Sequence, residues 1–337
     1  MDSTPSEISP SQIPIIDVGP LVRGDSSVVA REIGRACRVN GFFYVVGHGV
    51  DTELSERLRC FSARFFALDL EDKMRIRMER GGRAWRGFFP VGAELTKGEP
   101  DAKEGLYFGA ELGPDHEAVV AGRPMHGANQ FPDEERFPDL EGFRETVLEH
   151  MAAMTELGHL LVQGIAISLG LSPSYFADRY TRDPFLLFRI FHYPPLQGSG
   201  SWSVGEHTDY GLLTILQQDS VRGLEVKSGG TWIDAPPVDG AFVCNIGDML
   251  DRMTGGFYRS TAHRVRNASS LGRLSFPFFF DPNFDAAIRP IDPTAEIVDD
   301  QQERWDGASV HDFEGTYGDY ILRKVGRVFP DLGRDIS

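Results

Sequence analysis

The chain has 337 residues, and its 34 basic and 50 acidic side chains give a formal net charge of −16 at pH 7. This charge argues against a broad nucleic-acid-binding surface, which needs clustered Lys and Arg. The three cysteines lie far apart without a Cys-x-x-Cys pair, which argues against a zinc ribbon or a disulfide framework. No apolar run approaches the roughly 18 residues of a membrane-spanning helix, so we expect a cytoplasmic protein without membrane or nucleic-acid partners.

The sequence of the first 138 residues predicts a region of helices mixed with short strands and loops. Residues 1–12 are polar and contain two prolines, so we expect a disordered lead-in. Residues 79–138 are rich in Gly, Pro and charge without clear periodicity, which is typical of long loops and short strands that cover a site. The other elements predicted within 13–138 are an edge strand at 13–17, a helix from Ser26 or Ser27 to Val39, a buried strand at 42–46 and a helix from Asp51 to Leu68.

Residues 139–337 predict a second region built mainly from strands. A helical pattern from Leu140 to Leu169 ends at Gly170, and we expect this long helix to act as the backbone of the fold. Many short strands with frequent turns favour a sandwich or barrel, and a closing helix is predicted at about 311–328. The elements together predict an α+β fold. The β-prone runs lie at 185–193, 212–218, 223–227, 231–233, 241–246, 262–266 and 273–280.

His207-Thr208-Asp209 and the later His263 are candidate ligands of one metal ion. Side chains two positions apart on a strand would share a face, and His263 lies in a β-prone run, with four predicted strands between it and Asp209. Two imidazoles and one carboxylate leave three positions of a ferrous ion open, whereas a structural zinc normally takes a fourth protein ligand. Taken alone, His207 is more readily interpreted as a satisfied surface or core histidine. We interpret the other competing histidines, His126, His159 and His192, as structural because none has a comparable partner.

Arg273, Ser275 and Phe279 share one face if residues 273–280 form a strand. A guanidinium and a hydroxyl two positions apart can hold one carboxylate. A surface arginine paired with an acid is the alternative interpretation. The apolar run at 276–280 favours a buried arginine, which needs a partner, and a ligand carboxylate is one candidate.

Over nearly its whole length, the sequence resembles the isopenicillin N synthase-like group of Fe(II)/2-oxoglutarate-dependent oxygenases. The segment from Ile13 to Gly49, with Gly41-Phe42-Phe43-Tyr44, resembles the N-terminal region of that group. The core motifs follow in the expected order: Tyr193-Pro194-Pro195, His207-Thr208-Asp209-Tyr210-Gly211, Asn245-Ile246-Gly247-Asp248, His263-Arg264-Val265 and Arg273-Leu274-Ser275.

The resemblance implies a double-stranded β-helix (jelly-roll) core flanked by N-terminal helices, a long backbone helix and a C-terminal helix. It implies oxidative decarboxylation of 2-oxoglutarate with O2 to succinate and CO2, coupled to hydroxylation, desaturation or cyclisation of a small-molecule substrate. Such chemistry needs a dry pocket. The resemblance assigns His207, Asp209 and His263 to Fe(II), and Arg273, Ser275 and Tyr193 to the far carboxylate of 2-oxoglutarate.

The substrate pocket is the least specified part of the sequence. Phe191 stands where many plant relatives carry Asn, and the pattern from Leu187 to Tyr193 is closer to the fungal thymine hydroxylase type. That substrate is not carried over, since pocket-lining loops diverge on one fold. For Arg189 a structural ion pair is the alternative role, and for the aromatic candidates it is core or loop packing. The substrate-pocket candidates are Arg189, Phe279, Arg86, Phe88, Tyr210 and Phe108.

The residues alone are compatible with three functions. The first is a 2-oxoglutarate-dependent oxygenase, which the presence of Tyr193, Arg273 and Ser275 favours. The second is an Fe(II) oxidase of the same fold that does not use 2-oxoglutarate, and the third is a non-catalytic small-molecule-binding protein. We expect a monomer or weak homodimer. The residues leave the substrate and the type of oxidation open.

Overall fold

The computed structural model describes residues 12–195 and 203–329, except 293, 295, 300, 303, 305 and 306. Most helices precede the strand-rich part of the chain. They are α1 (Gly19–Val22), α2 (Ser27–Val39), α3 (Thr52–Phe66), α4 (Leu70–Lys73), α5 (Glu117–Val120), α6 (Phe143–Ser168), α7 (Asp248–Met253) and α8 (Tyr317–Val328). Short 3-10 turns lie at Met74–Ile76, Met78–Ala84 and Pro138–Leu140, and a π turn lies at Ala177–Thr181.

Fourteen strands are assigned within the described part of the chain. They are β1 (Ile15–Asp17), β2 (Phe42–Val46), β3 (Gly87–Phe89), β4 (Leu95–Thr96), β5 (Glu99–Pro100), β6 (Glu104–Gly109), β7 (Phe185–Tyr193), β8 (Val204–His207), β9 (Leu213–Gln218), β10 (Leu224–Ser228), β11 (Thr231–Asp234), β12 (Phe242–Ile246), β13 (His263–Val265) and β14 (Arg273–Asp281).

The strands form one large and one small sheet that both contribute to a single cavity. The large sheet has the order β1-β2-β12-β9-β14-β7-β6-β3, and the small sheet has the order β11-β10-β13-β8. A separate hairpin joins β4 and β5. Side chains from both sheets line the same cavity. This arrangement is the expected jelly-roll core of an α+β fold.

The long helix α6 covers the outer face of the large sheet. Phe276, Phe278 and Phe280 of β14 are buried, and Phe280 packs so closely on α6 that a Cβ at Gly158 would lie 2.5 Å from its ring. Helices α2 and α3 pack on the same long helix. The alternation of β14 therefore divides its side chains between the α6 interface and the cavity.

The helices and most strands agree with the sequence predictions. The Asp51 side chain accepts a hydrogen bond from the Glu53 backbone N–H at 2.8 Å and caps α3 near the predicted start of this helix. The predicted long helix is present as α6, although it begins at Phe143. The C-terminal helix begins at Tyr317, later than predicted. Of the predicted lead-in, residues 1–11 lie outside the described residues.

The strand that carries His207 was not among the predicted strands. Strand β8 has only four residues and contains Gly205, so its local strand propensity is low, and pairing with β13 imposes its conformation. It ends at His207, and Asp209 lies beyond it in the following turn. The spacing of the two ligand candidates predicts that they share one face of a strand. In the structure they do not, because Asp209 lies outside β8.

Within the described ranges, none of the helices combines the length and apolar character that crossing a membrane requires.

Candidate metal centre and its cavity

The candidate ligands come together where strands β8 and β13 pair. His207 is the last residue of β8 and the register partner of His263, the first residue of β13, and their ring centroids are 4.3 Å apart. Asp209 follows in the turn, with Oδ1 3.7 Å from Nε2 of His263. One potential ligand atom from each of the three side chains lies within 4.8 Å of the other two. This donor set fits a divalent iron with an open opposite face.

Backbone carbonyls orient the two imidazoles. Nδ1 of His207 lies 2.8 Å from the Gly205 carbonyl oxygen, and Nδ1 of His263 lies 3.2 Å from that of Thr261. A carbonyl can only accept, so each Nδ1 carries the proton. The lone pair of each Nε2 is then available to a metal ion.

Two polar side chains hold the carboxylate ligand. Oδ2 of Asp209 accepts hydrogen bonds from the Thr214 hydroxyl at 2.5 Å and from the Asn245 amide at 2.7 Å. Both partners are buried. The other oxygen, Oδ1, is the one nearer His263. This division leaves one carboxylate oxygen for the metal and uses the other to fix its direction.

The protonation states also suit metal binding. Burial, with a further contribution from His263, lowers the pKa of His207 to about 4, so this imidazole is neutral at pH 7. Burial opposes ionisation of Asp209. The neighbouring histidines and the two hydrogen bonds outweigh it and hold the pKa of the carboxyl below its ordinary value. A neutral imidazole and a carboxylate are the forms that coordinate a metal.

A second polar compartment lies beside the metal ligands, around Arg273. This side chain is 1% exposed; its Nε donates to the Val221 carbonyl and its Nη2 to the Gln218 amide oxygen, both at 3.1 Å. Its Nη1 has no hydrogen-bond partner among the described residues. The Ser275 and Tyr193 hydroxyl oxygens lie 3.5 Å apart on the adjacent strands. A carboxylate placed here satisfies the unpaired N–H and accepts from the hydroxyls.

Both compartments open into one cavity of about 330 Å³. The predicted side alternation of β14 is present, because Arg273, Ser275 and Phe279 all line it. Beyond the metal ligands the wall has a third, mixed part. That part includes Arg189, Tyr210, Phe279, Asp281 and Tyr317.

Arg189 lies at the cavity wall and makes the ion pair that was expected as its alternative role. Its guanidinium carbon lies 4.1 Å from the centroid of the Tyr107 ring and 5.0 Å from that of Phe279. Nη1 is 3.4 Å from Glu94 Oε1, an ion pair that is nearly buried. Nε has no hydrogen-bond partner among the described residues. The side chain is thus held by its neighbours and still has one unsatisfied donor at the cavity wall.

Three predicted pocket residues, Arg86, Phe88 and Phe108, do not line the cavity, so the structure corrects their placement. Arg86 donates to the Met125 carbonyl at 2.8 Å, and burial lowers its pKa to about 10. Phe108 stacks on Phe188, with ring centroids 6.1 Å apart. Phe88 packs against Phe65 at 5.9 Å. Neighbouring residues of a strand face opposite sides, and on β6 it is Tyr107, not Phe108, that lies against Arg189.

Several residues of the site were not assigned a role from sequence. Asn245 belongs to a motif of the resemblance, but only the structure shows its hydrogen bond to Asp209. Asp281 could have been found from the alternation on β14, which continues two residues beyond Phe279. Burial raises the pKa of Asp281 to about 7. The others, Thr214, Gln218, Glu94, Lys103 and Tyr317, reach the site through tertiary contacts.

A buried ionic cluster forms the wall next to Arg189. Lys103 Nζ lies 2.5 Å from Asp101 Oδ2 and 2.8 Å from Glu94 Oε2. Burial opposes the charge of Lys103, but the two carboxylates outweigh it and raise the pKa of the amine above its ordinary value. Glu94 also accepts from the Tyr107 hydroxyl at 2.8 Å. The cluster gives this wall a fixed arrangement of charges.

Comparison with known proteins places the chain in a family. Residues 13–134 match the family described as the non-haem dioxygenase in morphine synthesis N-terminal region, and residues 184–282 match the 2OG-Fe(II) oxygenase superfamily. A probable iron/ascorbate oxidoreductase of Dictyostelium discoideum is 49% identical, with all of both chains covered. A 1-aminocyclopropane-1-carboxylate oxidase of Dictyostelium mucoroides is 40% identical, over 96% of this chain and 97% of its own.

Two further similar proteins carry other names. A homoarginine-6-hydroxylase of Glycine max is 36% identical over 96% of this chain and 98% of its own. The crystal structure of a full-length Neurospora crassa protein in complex with alpha-KG and thymine superposes with a TM-score of 0.77 at 28% identity, covering 94% of this chain and 96% of that one. The chain therefore belongs to the 2OG-Fe(II) oxygenase superfamily and is a non-haem iron enzyme that couples the turnover of 2-oxoglutarate to oxidation of a small molecule.

Proposed function

We propose that this enzyme oxidises a small substrate that bears a carboxylate, and specifically an amino acid. The oxidation takes place at an iron held by His207, Asp209 and His263. The observation that carries the proposal is the convergence of these three ligands, within 4.8 Å, on a cavity that also contains the unpaired Nη1 of Arg273. One compartment fits a metal and the adjoining one fits a carboxylate. The third compartment is left for the substrate.

The residues around Arg273 bind and orient 2-oxoglutarate in this proposal. Its far carboxylate accepts from Nη1 of Arg273 and from the Ser275 and Tyr193 hydroxyls. When bound together, iron and 2-oxoglutarate supply O2-dependent oxidation, with decarboxylation to succinate and CO2. The apolar side chains of Val204, Leu216, Leu224 and Val265 line the same cavity and exclude water from it.

The substrate carboxylate is assigned to Arg189. Its Nε donor is unsatisfied, and the side chain cannot withdraw because Tyr107 and Phe279 hold its guanidinium. Phe279 and Tyr210 line the space beside it. The names of two relatives, the 1-aminocyclopropane-1-carboxylate oxidase and the homoarginine-6-hydroxylase, refer to amino acids and support the same substrate class.

The charges of the cavity wall also favour an anionic group. Lys97, Lys324 and Arg327 contribute to the wall in addition to the buried cations, although the whole chain carries −16. A cavity that is locally cationic in an acidic protein concentrates anionic ligands and speeds their entry. Both 2-oxoglutarate and a substrate carboxylate benefit from this field, which higher salt weakens.

Anaerobic titration with Fe(II), with and without 2-oxoglutarate, tests the cofactor assignment. We expect a weak visible charge-transfer band that appears only when both are present. Arg273→Gln should lose the band at 2-oxoglutarate concentrations that saturate the natural chain, whereas Arg222→Gln, an exposed neighbour, should retain it. Iron binding that is indifferent to 2-oxoglutarate would instead indicate an oxidase of the same fold that does not use it.

Succinate release during incubation with a panel of amino acids tests the substrate class. We expect at least one amino acid to stimulate succinate formation, and its decarboxylated amine to fail. Arg189→Gln should raise the KM for the stimulating amino acid by about tenfold or more, the order of one lost charged hydrogen bond. Stimulation by the amine as strong as that by the acid refutes the role of Arg189 in binding a carboxylate.

A further inference from the structure

The C-terminal helix α8 is attached to the rest of the protein by two buried carboxylates. At the first, Oδ2 of Asp248 accepts a hydrogen bond from the Tyr320 hydroxyl at 2.7 Å, and Nζ of Lys324 lies 3.6 Å from the same oxygen. The Asp248 side chain is completely buried. A buried carboxylate needs such partners, so the contact is costly to break from either side.

Asp248 also contacts the turn that carries the metal ligand Asp209. Its backbone N–H donates to the Asp209 carbonyl oxygen at 2.8 Å. Its Oδ1 accepts from Nη2 of Arg304 at 2.6 Å, and this nitrogen lies 3.2 Å from the Thr208 hydroxyl, between the two ligands of the turn. One residue thus joins α8, the segment at Arg304 and the metal-ligand turn.

Asp281 makes a second connection of the same kind. Its Oδ2 accepts from the Tyr317 hydroxyl at 2.5 Å, and its Oδ1 accepts from the backbone N–H of Leu212 at 3.2 Å. The carboxyl group packs directly on Gly211, where an added Cβ would lie 1.4 Å from Oδ1. Gly211 therefore has to lack a side chain for the turn and Asp281 to approach each other.

The attached helix forms part of the cavity wall. Tyr317, Ile321, Lys324 and Val328 of α8 all line the cavity that holds the metal ligands. Phe329, directly after the helix, packs against Tyr107 with ring centroids 5.5 Å apart. If α8 moved away, this side of the cavity would open to water. The same contacts that keep it in place lead to the backbone around Asp209.

We infer that Asp248 and Asp281 are positioning residues that couple docking of α8 to the geometry of the metal-ligand turn. Coupling between two equilibria is reciprocal. Metal and 2-oxoglutarate therefore stabilise the docked helix, and complete loss of docking weakens metal binding by the same factor. The inference rests on the proposed metal ligands and goes beyond them, because it joins closure of the cavity to loading of the metal.

Hydrogen–deuterium exchange of the full-length chain tests this coupling without turnover. Exchange is followed in residues 317–328, and the added ligands are Mn(II) and 2-oxoglutarate. Binding should slow exchange of α8 by about fivefold or more, the lower end of ordinary coupling between sites. In the double variant Tyr317→Phe/Tyr320→Phe, α8 should exchange faster without metal, and the Kd for Mn(II) should rise, at most by the factor by which metal binding slows exchange of α8 in the natural chain.

Two additional variants complete the experiment. Arg323→Gln changes an exposed residue of α8 that does not line the main cavity, and it should leave both readouts unchanged. Asp248→Asn removes the charge and keeps the shape, and it should increase exchange of α8 further. Circular dichroism and thermal unfolding establish that each variant folds. If Asp248→Asn does not fold, the conservative tyrosine variants still test the coupling.

The outcomes separate the coupling from the metal assignment. Absence of Mn(II) binding, measured by electron paramagnetic resonance of free Mn(II), would refute the metal site itself. Mn(II) binding with unchanged exchange at 317–328 would leave the metal site intact and refute the coupling. A tyrosine double variant with the natural Kd and the natural exchange rate would also refute it.

Discussion

His207 and His263 are register partners on adjacent antiparallel strands, with ring centroids 4.3 Å apart. Close cross-strand pairs of this kind place two side chains on one face of a sheet. Both imidazoles are buried or nearly so, and their Nδ1 atoms face backbone carbonyls. The pair is therefore prepared for one metal ion before it binds.

Replacement of either histidine should abolish iron binding and turnover while the fold is retained. His207→Ala removes one of three ligands, and two remaining ligands hold a divalent metal weakly. Metal content after anaerobic reconstitution and circular dichroism measure the two effects. His159→Gln, on α6, is the matched control and should bind iron normally. An active His207→Ala protein would show that the ligands are misassigned.

Removal of the Asn245 amide should weaken iron binding without preventing it. The amide fixes Oδ2 of Asp209, and loss of such an outer hydrogen bond typically costs about 10- to 100-fold in metal affinity. Competition between the protein and a chelator of known affinity measures the change. Thr214→Val should act in the same direction because the Thr214 hydroxyl holds the same oxygen. Affinity unchanged in both variants would contradict the orienting role.

Arg273→Ala should raise the 2-oxoglutarate requirement steeply. Removing one partner of a buried charged pair costs about 3 kcal/mol or more, which corresponds to at least about 100-fold in affinity. Arg273→Lys should recover part of this loss, since an ammonium keeps the charge but lacks the fork geometry. The concentration of 2-oxoglutarate at half-maximal succinate release is the measurement. An unchanged requirement in Arg273→Ala would place the carboxylate elsewhere.

The order of the motifs and the alternation along β14 were sufficient to predict much of the site. Strand alternation correctly placed Arg273, Ser275 and Phe279 on the cavity side. The pairing of β8 with β13 was beyond local reasoning, because His207 and His263 are brought together by strands far apart in the chain.

Where local patterns failed, both faces of the element were buried. Every residue of β3 and β6 is buried, so their sequences contain no polar alternation to show which side faces the cavity. For Phe88 and Phe108 the alternative interpretation, packing in the core, is the one present. The role of Asp248 was not predicted, because its partner Tyr320 lies far along the chain. Long-range ionic contacts of this kind leave no local pattern.

His150 should make the protein sensitive to acid. Its ring is completely buried in α6, neither nitrogen has a hydrogen-bond partner among the described residues, and burial lowers its pKa from 6.5 to about 3. Between these two pKa values the unfolded chain binds a proton that the folded chain does not. Stability therefore falls as the pH decreases below about 6.5.

His150→Leu should remove this part of the acid sensitivity. At pH 5 the unfavourable contribution of His150 is on the order of 2 kcal/mol, whereas at pH 8 it is negligible. Denaturant unfolding of the metal-free protein at both pH values measures it. The variant should be stabilised relative to the natural chain at pH 5 by more than at pH 8. His159→Gln, a less buried histidine of the same helix, is the control and should show a smaller difference. An equal effect of His150→Leu at both pH values would show that packing around Phe188 decides the change, not protonation of the ring.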